Sequence, residues 1–410
     1  MRILVQKFGG SSVKDLTCMK KVLVKVKKGL EQGYKVVVVL SARAGETNRL
    51  LALAGEWSQT PDPAECDSII STGEQISTAL FTMLLKDNGI SARSLLGFQI
   101  PMLTDEEYGK ARILSIDETK LREMLLQYNV LVIAGFQGIT TAGRVTTLGR
   151  GGSDTSAVAV AAVLSASLCE IYTDVDGVYT TDPNMCSTAC KIDRITYDEM
   201  LEMASMGAKV LEIRSVEFAK KYKVPVHVRS TFTDLPGTML IHEEPKMENV
   251  LVSSIAYDKD QARITLRSCP DRPGVSAAIF GPLSQTNITV DMIVQNPSRA
   301  GVTDMTFTIS RKELDKALTV MEEVRKKLNG MEIMHDSNVC KVTIIGVGMR
   351  NHAGVAAKAF DALYRENINV LMISTSEIKI SCLIEEKYTE LAVRTLHDAF
   401  ELGTGKSFQK

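Results

Sequence analysis

Arg2-Ile3-Leu4-Val5-Gln6-Lys7-Phe8-Gly9-Gly10-Ser11-Ser12-Val13 runs from a short apolar stretch into a paired-glycine turn, and a helical pattern follows from Asp15 to about Gln32. Strand, glycine turn and helix in that order open an α/β unit. The alternation continues downstream. Val36-Val37-Val38-Val39-Leu40 is a continuous β-branched run, as expected of a strand covered on both faces. A helix is expected from about Ile76 to Lys86, and another after Asp117, a capping residue, with Leu121, Met124 and Leu125 on one face. Then come a buried strand at Val130–Ala134, an apolar helix from Thr155 to Ser165 and a strand at Cys169–Thr173. Such alternation predicts a largely parallel sheet with helices on both faces.

At 410 residues the chain is too long for one ordinary core, so two or three domains are expected. Its apolar share of 45% with 24% charged residues is that of a globular protein. A net charge of −1 and the lack of a basic stripe interleaved with aromatics argue against nucleic-acid or membrane-surface partners. The first residues carry too short an apolar run for a signal peptide, and the longest apolar stretch, Ala157–Leu164, falls short of a spanning helix. Eight cysteines are scattered from Cys18 to Cys382 without framework spacing. Cys186 and Cys190 have no neighbouring histidine, so reduced thiols, no metal site and a cytoplasmic protein are expected.

From about Glu243 the texture changes. Glu243-Glu244-Pro245-Lys246 reads as a linker, and the chain beyond it repeats at an offset of 80. Gly274-Val275 matches Gly354-Val355, Asn287-Ile288 matches Asn367-Ile368, and Met292-Ile293 matches Met372-Ile373. Each copy reads strand, glycine turn, helix, asparagine turn, strand, strand, helix; Ser310 and Glu313 have capping-box spacing before the last helix of the first copy. A duplicated small βαββα module beside an α/β domain points to ligand binding.

Several turns could carry chemistry. In Lys7-Phe8-Gly9-Gly10-Ser11 the glycines admit a phosphate close to backbone N–H groups, the hydroxyl adds a donor and Lys7 supplies a point charge. The same residues suit a tight turn that needs glycine for geometry alone. Gly149-Arg150-Gly151-Gly152-Ser153-Asp154 also opens a helix; the Arg150 fork suits a carboxylate, while Ser153 and Asp154 equally suit helix capping. Ser71-Thr72-Gly73-Glu74 has capping-box spacing, an alternative to a substrate contact at Glu74. The polar turn Ser41–Asn48 follows the valine-rich strand, at the strand end where α/β sheets bind ligands. Gly135-Phe136-Gln137-Gly138 is a weaker phosphate turn, and the carboxylates and aromatic of Tyr172–Pro183 could hold a nucleotide, though a loop rich in proline, glycine and aspartate also serves as a plain connection. Gly405-Lys406-Ser407 and Gly346-Val347-Gly348 fail their respective nucleotide fingerprints.

Taken in order, Lys7–Ser12, Ser71–Glu74, Gly149–Asp154 and Thr173–Tyr179, followed by the duplication, resemble the aspartokinase family over nearly the whole chain. The resemblance implies an amino-acid kinase fold over residues 1–245. A linker strand with a first α+β, ferredoxin-like ACT domain over 246–336 and a second over 337–410 follow. It implies ATP with Mg²⁺ as phosphoryl donor and L-aspartate as acceptor, with Lys7 and Asp154 catalytic and Ser41, Thr47, Glu74 and Arg150 at aspartate. It places ATP at Lys7, Gly9, Gly10, Ser11, Thr173, Asp174, Tyr179, Asp182 and Lys209, with Asn184 where relatives often carry arginine. Lysine or threonine as effector is implied at Asp271, Gln295, Asn296, Asn367 and Asn369, in a homodimer or larger assembly built through the ACT domains. Met247 is a possible internal start for a separate regulatory chain. Another enzyme of the same fold, acting on glutamate, acetylglutamate or UMP, and a non-catalytic amino-acid sensor are the competing readings.

Overall fold

The computed structural model describes residues 1–207, 210–243, 251–296, 301–328, 331–352 and 354–404, so Lys209, Met247 and Gly405–Ser407 lie outside the described residues. The chain divides into two units, Met1–Tyr179 with Lys191–Met247, and Thr180–Cys190 with Glu248–Lys410.

In chain order the first unit contains β1 (Ile3–Phe8), α1 (Leu16–Glu31), β2 (Lys35–Leu40), α2 (Glu46–Trp57), α3 (Pro63–Ile70), α4 (Thr72–Asp87), β3 (Ala92–Leu95), β4 (Leu103–Thr104) and β5 (Ile113–Ser115). It continues with α5 (Glu118–Gln127), β6 (Val130–Ala134), β7 (Gln137–Ile139), β8 (Val145–Thr147), α6 (Gly152–Val163), β9 (Leu168–Thr173), β10 (Arg194–Thr196), α7 (Tyr197–Ser205), α8 (Ile213–Tyr222), β11 (Val226–Ser230) and β12 (Thr238–Ile241). Among the described residues an eight-stranded sheet has the order β10-β12-β11-β9-β1-β2-β6-β3. From β11 through β9, β1, β2 and β6 to β3 every neighbouring pair is parallel. Val36–Leu40 is wholly buried, as a run apolar on both faces requires. Phe8, Val36, Val38 and Leu40 share one cluster with Met19, Val22 and Val26 of α1 and Phe81 and Leu85 of α4. Asp15 caps α1, accepting from the Cys18 amide, and Asp117 caps α5. A small sheet, β5-β4-β7-β8, carries the chain toward Gly149–Arg150.

The second unit adds β13 (Ser254–Pro270), α9 (Val275–Gln285), β14 (Val290–Gln295), β15 (Val302–Ile309), α10 (Leu314–Lys327), β16 (Glu332–Ile345), α11 (Val355–Arg365), β17 (Met372–Thr375), β18 (Lys379–Glu385) and α12 (Thr389–Ala399). They form one sheet, β14-β15-β13-β16-β18-β17. The repeat is visible in the backbone: Gly274 and Gly354 are left-handed at the starts of α9 and α11, and Asn287 and Asn367 have φ of 58° and 55°. Asparagine tolerates that region better than most residues. The two copies interlock. Ser254–Asp258 of β13 pairs with Lys341–Ile345, beside β18, whereas Ala262–Pro270 pairs with β15. Residues 336 and 337 both lie within β16. Ser310 does not form the expected capping box; its hydroxyl donates to Asp260, and a 3-10 turn over Arg311–Glu313 precedes α10.

Thr180–Cys190 belongs to the second unit, fixed there by local polar contacts. The Thr180 carbonyl accepts from the Ile255 amide at 2.7 Å, and Arg394 donates to the Met185 carbonyl. Thr180 Oγ1 lies 2.9 Å from Nε2 of His397, which is fully buried. Burial holds the His397 pKa below its ordinary value of 6.5, while Asp398 beside it pulls weakly upward. A folded-state pKa below the unfolded value gives stability that is present above the unfolded pKa and lost as pH falls through the folded one. In thermal unfolding across about pH 8 to 5, His397 is therefore expected to contribute a slope of declining stability toward acid, which His397→Asn removes. An unchanged slope would exclude His397 as its source.

Candidate active site

A cavity of about 700 Å³ opens in the first unit where β1, β2 and β6 end, lined among others by Lys7, Gly9, Gly10, Ser41, Thr47 and Glu74 on one side and Gly149–Asp154 on the other. These segments, remote in sequence, meet because parallel strands deliver their carboxyl ends to one edge. Gly10 permits a close approach: a Cβ there would stand 2.9 Å from the Ala42 carbonyl oxygen, and the Ala44 amide donates to the Gly10 carbonyl. Lys7 Nζ is 2.6 Å from Asp154 Oδ1, and both side chains are nearly buried.

Asp154 is not a helix cap. The N-cap of α6 is Gly151, left-handed at φ 66°, which places Asp154 in the first turn, where the positive helix end favours a carboxylate. A Cβ on Gly151 would come 2.4 Å from the Glu212 side chain, so the turn that presents Arg150 requires glycine on both counts. Glu212 has its pKa raised, by desolvation first and then by the charge of Asp154.

Glu74 is not in a capping box either. The Ser71 hydroxyl donates to the Ser68 carbonyl, and Glu74 Oε1 accepts from the Ala42 amide at 2.9 Å. Its other oxygen, Oε2, is buried without a hydrogen-bond partner among the described residues, and the side chain faces the cavity at 3% exposure. Desolvation pushes this carboxyl up to about 7, against the lowering effect of the Ala42 amide. An unsatisfied oxygen on a buried carboxylate is costly unless a cation or a donor reaches it.

Of the residues expected at the nucleotide, Gly9 and Gly10 lie at the end of β1 and Ser11 follows in a 3-10 turn. Thr173 ends β9, the neighbour of β1; its hydroxyl donates to Asp174, and the Thr231 amide donates to its carbonyl. Tyr179 bridges to Lys191. Asp182, in contrast, belongs to the second unit, where Oδ2 accepts from the Tyr257 hydroxyl and Oδ1 from Asn184. Strand order thus puts Lys7 and the glycines on β1 between Thr173–Asp174 on the β9 side and the Glu74–Arg150 cavity on the β2 and β6 side.

Of the residues expected at the effector, Asp271 follows β13 and its amide donates to Gly301; Gln295 and Asn296 close β14. Asn367 and Asn369 precede β17. By register Gln295 is level with Leu266 in the last part of β13, toward Asp271, whereas Met372 at the start of β17 is level, through Leu383 and Lys341, with Asp258 in its first part. Three strand spacings, about 14 Å, separate β13 from β17, so one small molecule does not reach both groups within a single chain. Phe136 of the Gly135–Gly138 turn is a left-handed aromatic in the cavity wall at φ 67°, and Asp67, which no sequence motif marks, also lines the cavity.

A sheet that brings a lysine and paired glycines between an anion-binding turn and a carboxylate-lined cavity defines a phosphotransferase of the amino acid kinase class. The profile of the amino acid kinase family matches residues 2–230, and ACT domain profiles match residues 264–326 and 342–400. An aspartate kinase from Pseudomonas putida is 54% identical over 403 residues, 98% of each chain. The crystal structure of E. coli aspartokinase III with aspartate and ADP, described as its R-state, is 29% identical at a TM-score of 0.78, covering 97% of this chain and 99% of that one. The T-state of the same enzyme with lysine and aspartate gives a TM-score of 0.76 at 29% identity over the same shares. The chain belongs to the aspartate kinase family.

Proposed function

We propose that the chain transfers the γ-phosphoryl group of ATP to the side-chain carboxylate of L-aspartate, giving 4-phospho-L-aspartate and ADP. The observation that carries this reading is the unpartnered, buried Glu74 oxygen in one cavity with Arg150, Lys7 and Asp154. Glu74 pairs with the substrate ammonium, Arg150 with the α-carboxylate, and the side-chain carboxylate points to Lys7; Ser41 and Thr47 complete the lining.

The acceptor has a reference pKa near ~3.9 and is already ionised at neutral pH, so no general base is needed. One carboxylate oxygen forms the new bond to the γ-phosphorus while the bond from that phosphorus to the β,γ-bridging oxygen breaks, leaving ADP. The difficulty is two anions meeting. Lys7, held by Asp154 until phosphate arrives, and the amides of Gly9 and Gly10 counter that repulsion, with Ser11, Thr173, Asp174 and Tyr179 on the nucleotide side. Amides, hydroxyls and one cation fit triphosphate oxygens. No cluster of three acidic, histidine or cysteine side chains stands among the described residues to hold an ion directly. Mg²⁺ carried on the triphosphate would neutralise its charge, and such an ion keeps several waters.

Lysine or threonine, acting at the outer strands of the ACT sheet, is the effector. The separation of the two effector groups favours a site completed by a second chain, hence a homo-oligomer. We place the enzyme in the cytoplasm; among the described residues no helix is long and apolar enough to cross a membrane. Aspartate-dependent ADP release, with lysine and threonine added singly and together, tests the regulatory part. Inhibition by at least one of them is expected, and indifference to both would reject it.

A further inference from the structure

Asp67 in α3 is 1% exposed and lies at the edge of the cavity, yet the phosphoryl transfer described above has no use for it. All its recorded partners are donors. Thr147 gives both its amide, to Oδ2 at 2.7 Å, and its hydroxyl, to Oδ1 at 2.7 Å. The Gly109 amide reaches both oxygens, at 3.1 and 2.9 Å. Arg214 at the start of α8 does the reverse to the same two segments, donating to the Leu148 carbonyl at 2.6 Å and the Ala111 carbonyl at 2.9 Å. Between these two clamps the Ala111 amide donates to the Thr147 carbonyl. The strand so held runs directly into Gly149, which is left-handed at φ 79° and packs so closely that a Cβ there would stand 3.0 Å from the Gly109 carbonyl oxygen. Arg150 is the next residue.

We propose that Asp67 and Arg214 are positioning residues that act through Arg150, an anionic and a cationic clamp on the backbone that aims its guanidinium at the substrate's α-carboxylate. The inference rests on the proposed role of Arg150. Asparagine cannot replace Asp67 without turning an NH₂ group toward an N–H or O–H donor, because every partner donates. Lysine at 214 keeps the charge but lacks the planar fork that spans two carbonyls. Misplacement of a substrate-orienting group by about 1 Å costs roughly 100-fold, which sets the size of the effect expected.

The test is a double-mutant cycle on the full chain with aspartate and MgATP. Asp67→Asn and Arg214→Lys are each expected to raise the aspartate KM about 10- to 100-fold, with the ATP KM moving by less than about two-fold. In the Arg150→Ala background the same substitutions should change the aspartate KM by less than about three-fold, since the group they position is gone. If Asp67→Asn does not fold, the isosteric Thr147→Val, which removes the hydroxyl bond alone, takes its place in the cycle with a smaller rise expected. Equal factors in both backgrounds, an equal rise in the ATP KM, or no rise at all overturns the inference. A flat response to Arg150→Ala itself rejects the proposed role of Arg150, and the inference with it; a steep response to Arg150→Ala with additive clamps rejects the inference alone.

Discussion

Lys7→Ala is expected to lower kcat at least about 100-fold with little change in the aspartate KM, the effect of removing a charge that acts on the transferring phosphoryl group. Lys7 is the cation at the end of β1, the strand between the nucleotide side and the aspartate cavity, and its ammonium stands 2.6 Å from Asp154. In that position it neutralises charge that builds only as phosphoryl passes, so its loss falls on turnover. The substitution also leaves Asp154, 8% exposed, without its ion-pair partner, a state that costs stability. Melting temperature must therefore be measured alongside kinetics, and Asp154→Asn added to Lys7→Ala should recover stability without recovering turnover. Wild-type kcat in a folded Lys7→Ala protein would remove Lys7 from the mechanism.

The second large effect belongs to Glu74. Truncating one partner of a buried, hydrogen-bonded charge pair costs about 2–4 kcal/mol, so Glu74→Ala should raise the aspartate KM roughly 30- to 1000-fold. The raised pKa, about 7, adds a pH signature. Aspartate's ammonium selects the ionised carboxylate, so binding below pH 7 must release a proton, and the aspartate KM should rise about ten-fold per pH unit there. Above about pH 8 it should level off. Glu74→Gln should lose this dependence. The sign for folding is opposite to that of an ordinary ion-paired carboxylate. With its folded pKa above the ordinary 4.5, Glu74 binds more protons folded than unfolded between those values. The contribution of Glu74 to the stability of the ligand-free protein is therefore lost as pH rises through that window, and aspartate offsets the loss. A pH-independent aspartate KM between about pH 5.5 and 8 would contradict the assignment.

Much of this was legible in the residues, for reasons that can be located. Val36–Leu40 could only be a strand covered on both faces, and it is; Asp15 and Asp117 cap the helices they precede. The 80-residue offset reappears as matched left-handed residues at Asn287 and Asn367. Local signals misled where tertiary partners outbid them. Ser71–Glu74 and Ser310–Glu313 have capping-box spacing, but Glu74 reaches across to the Ala42 amide and Ser310 to Asp260, while Thr196–Glu199, not singled out, forms a true box. Asp182 follows nucleotide-side residues in sequence but belongs to the second unit, where its carboxylate accepts from Tyr257 of the same unit. Asp67 and Arg214 left no trace because their bonds span 42 to 103 residues and, apart from the Thr147 hydroxyl, go to backbone atoms, which no side-chain motif records.

Everything rests on aspartate accepting phosphoryl on its side chain. Incubation with MgATP, L-aspartate and hydroxylamine should trap aspartyl hydroxamate in proportion to ADP formed, and glutamate, acetylglutamate or UMP in place of aspartate should give no product. A folded protein that binds ATP and forms no hydroxamate from aspartate, or that forms it as readily from glutamate or acetylglutamate or releases ADP as readily with UMP, would contradict the account.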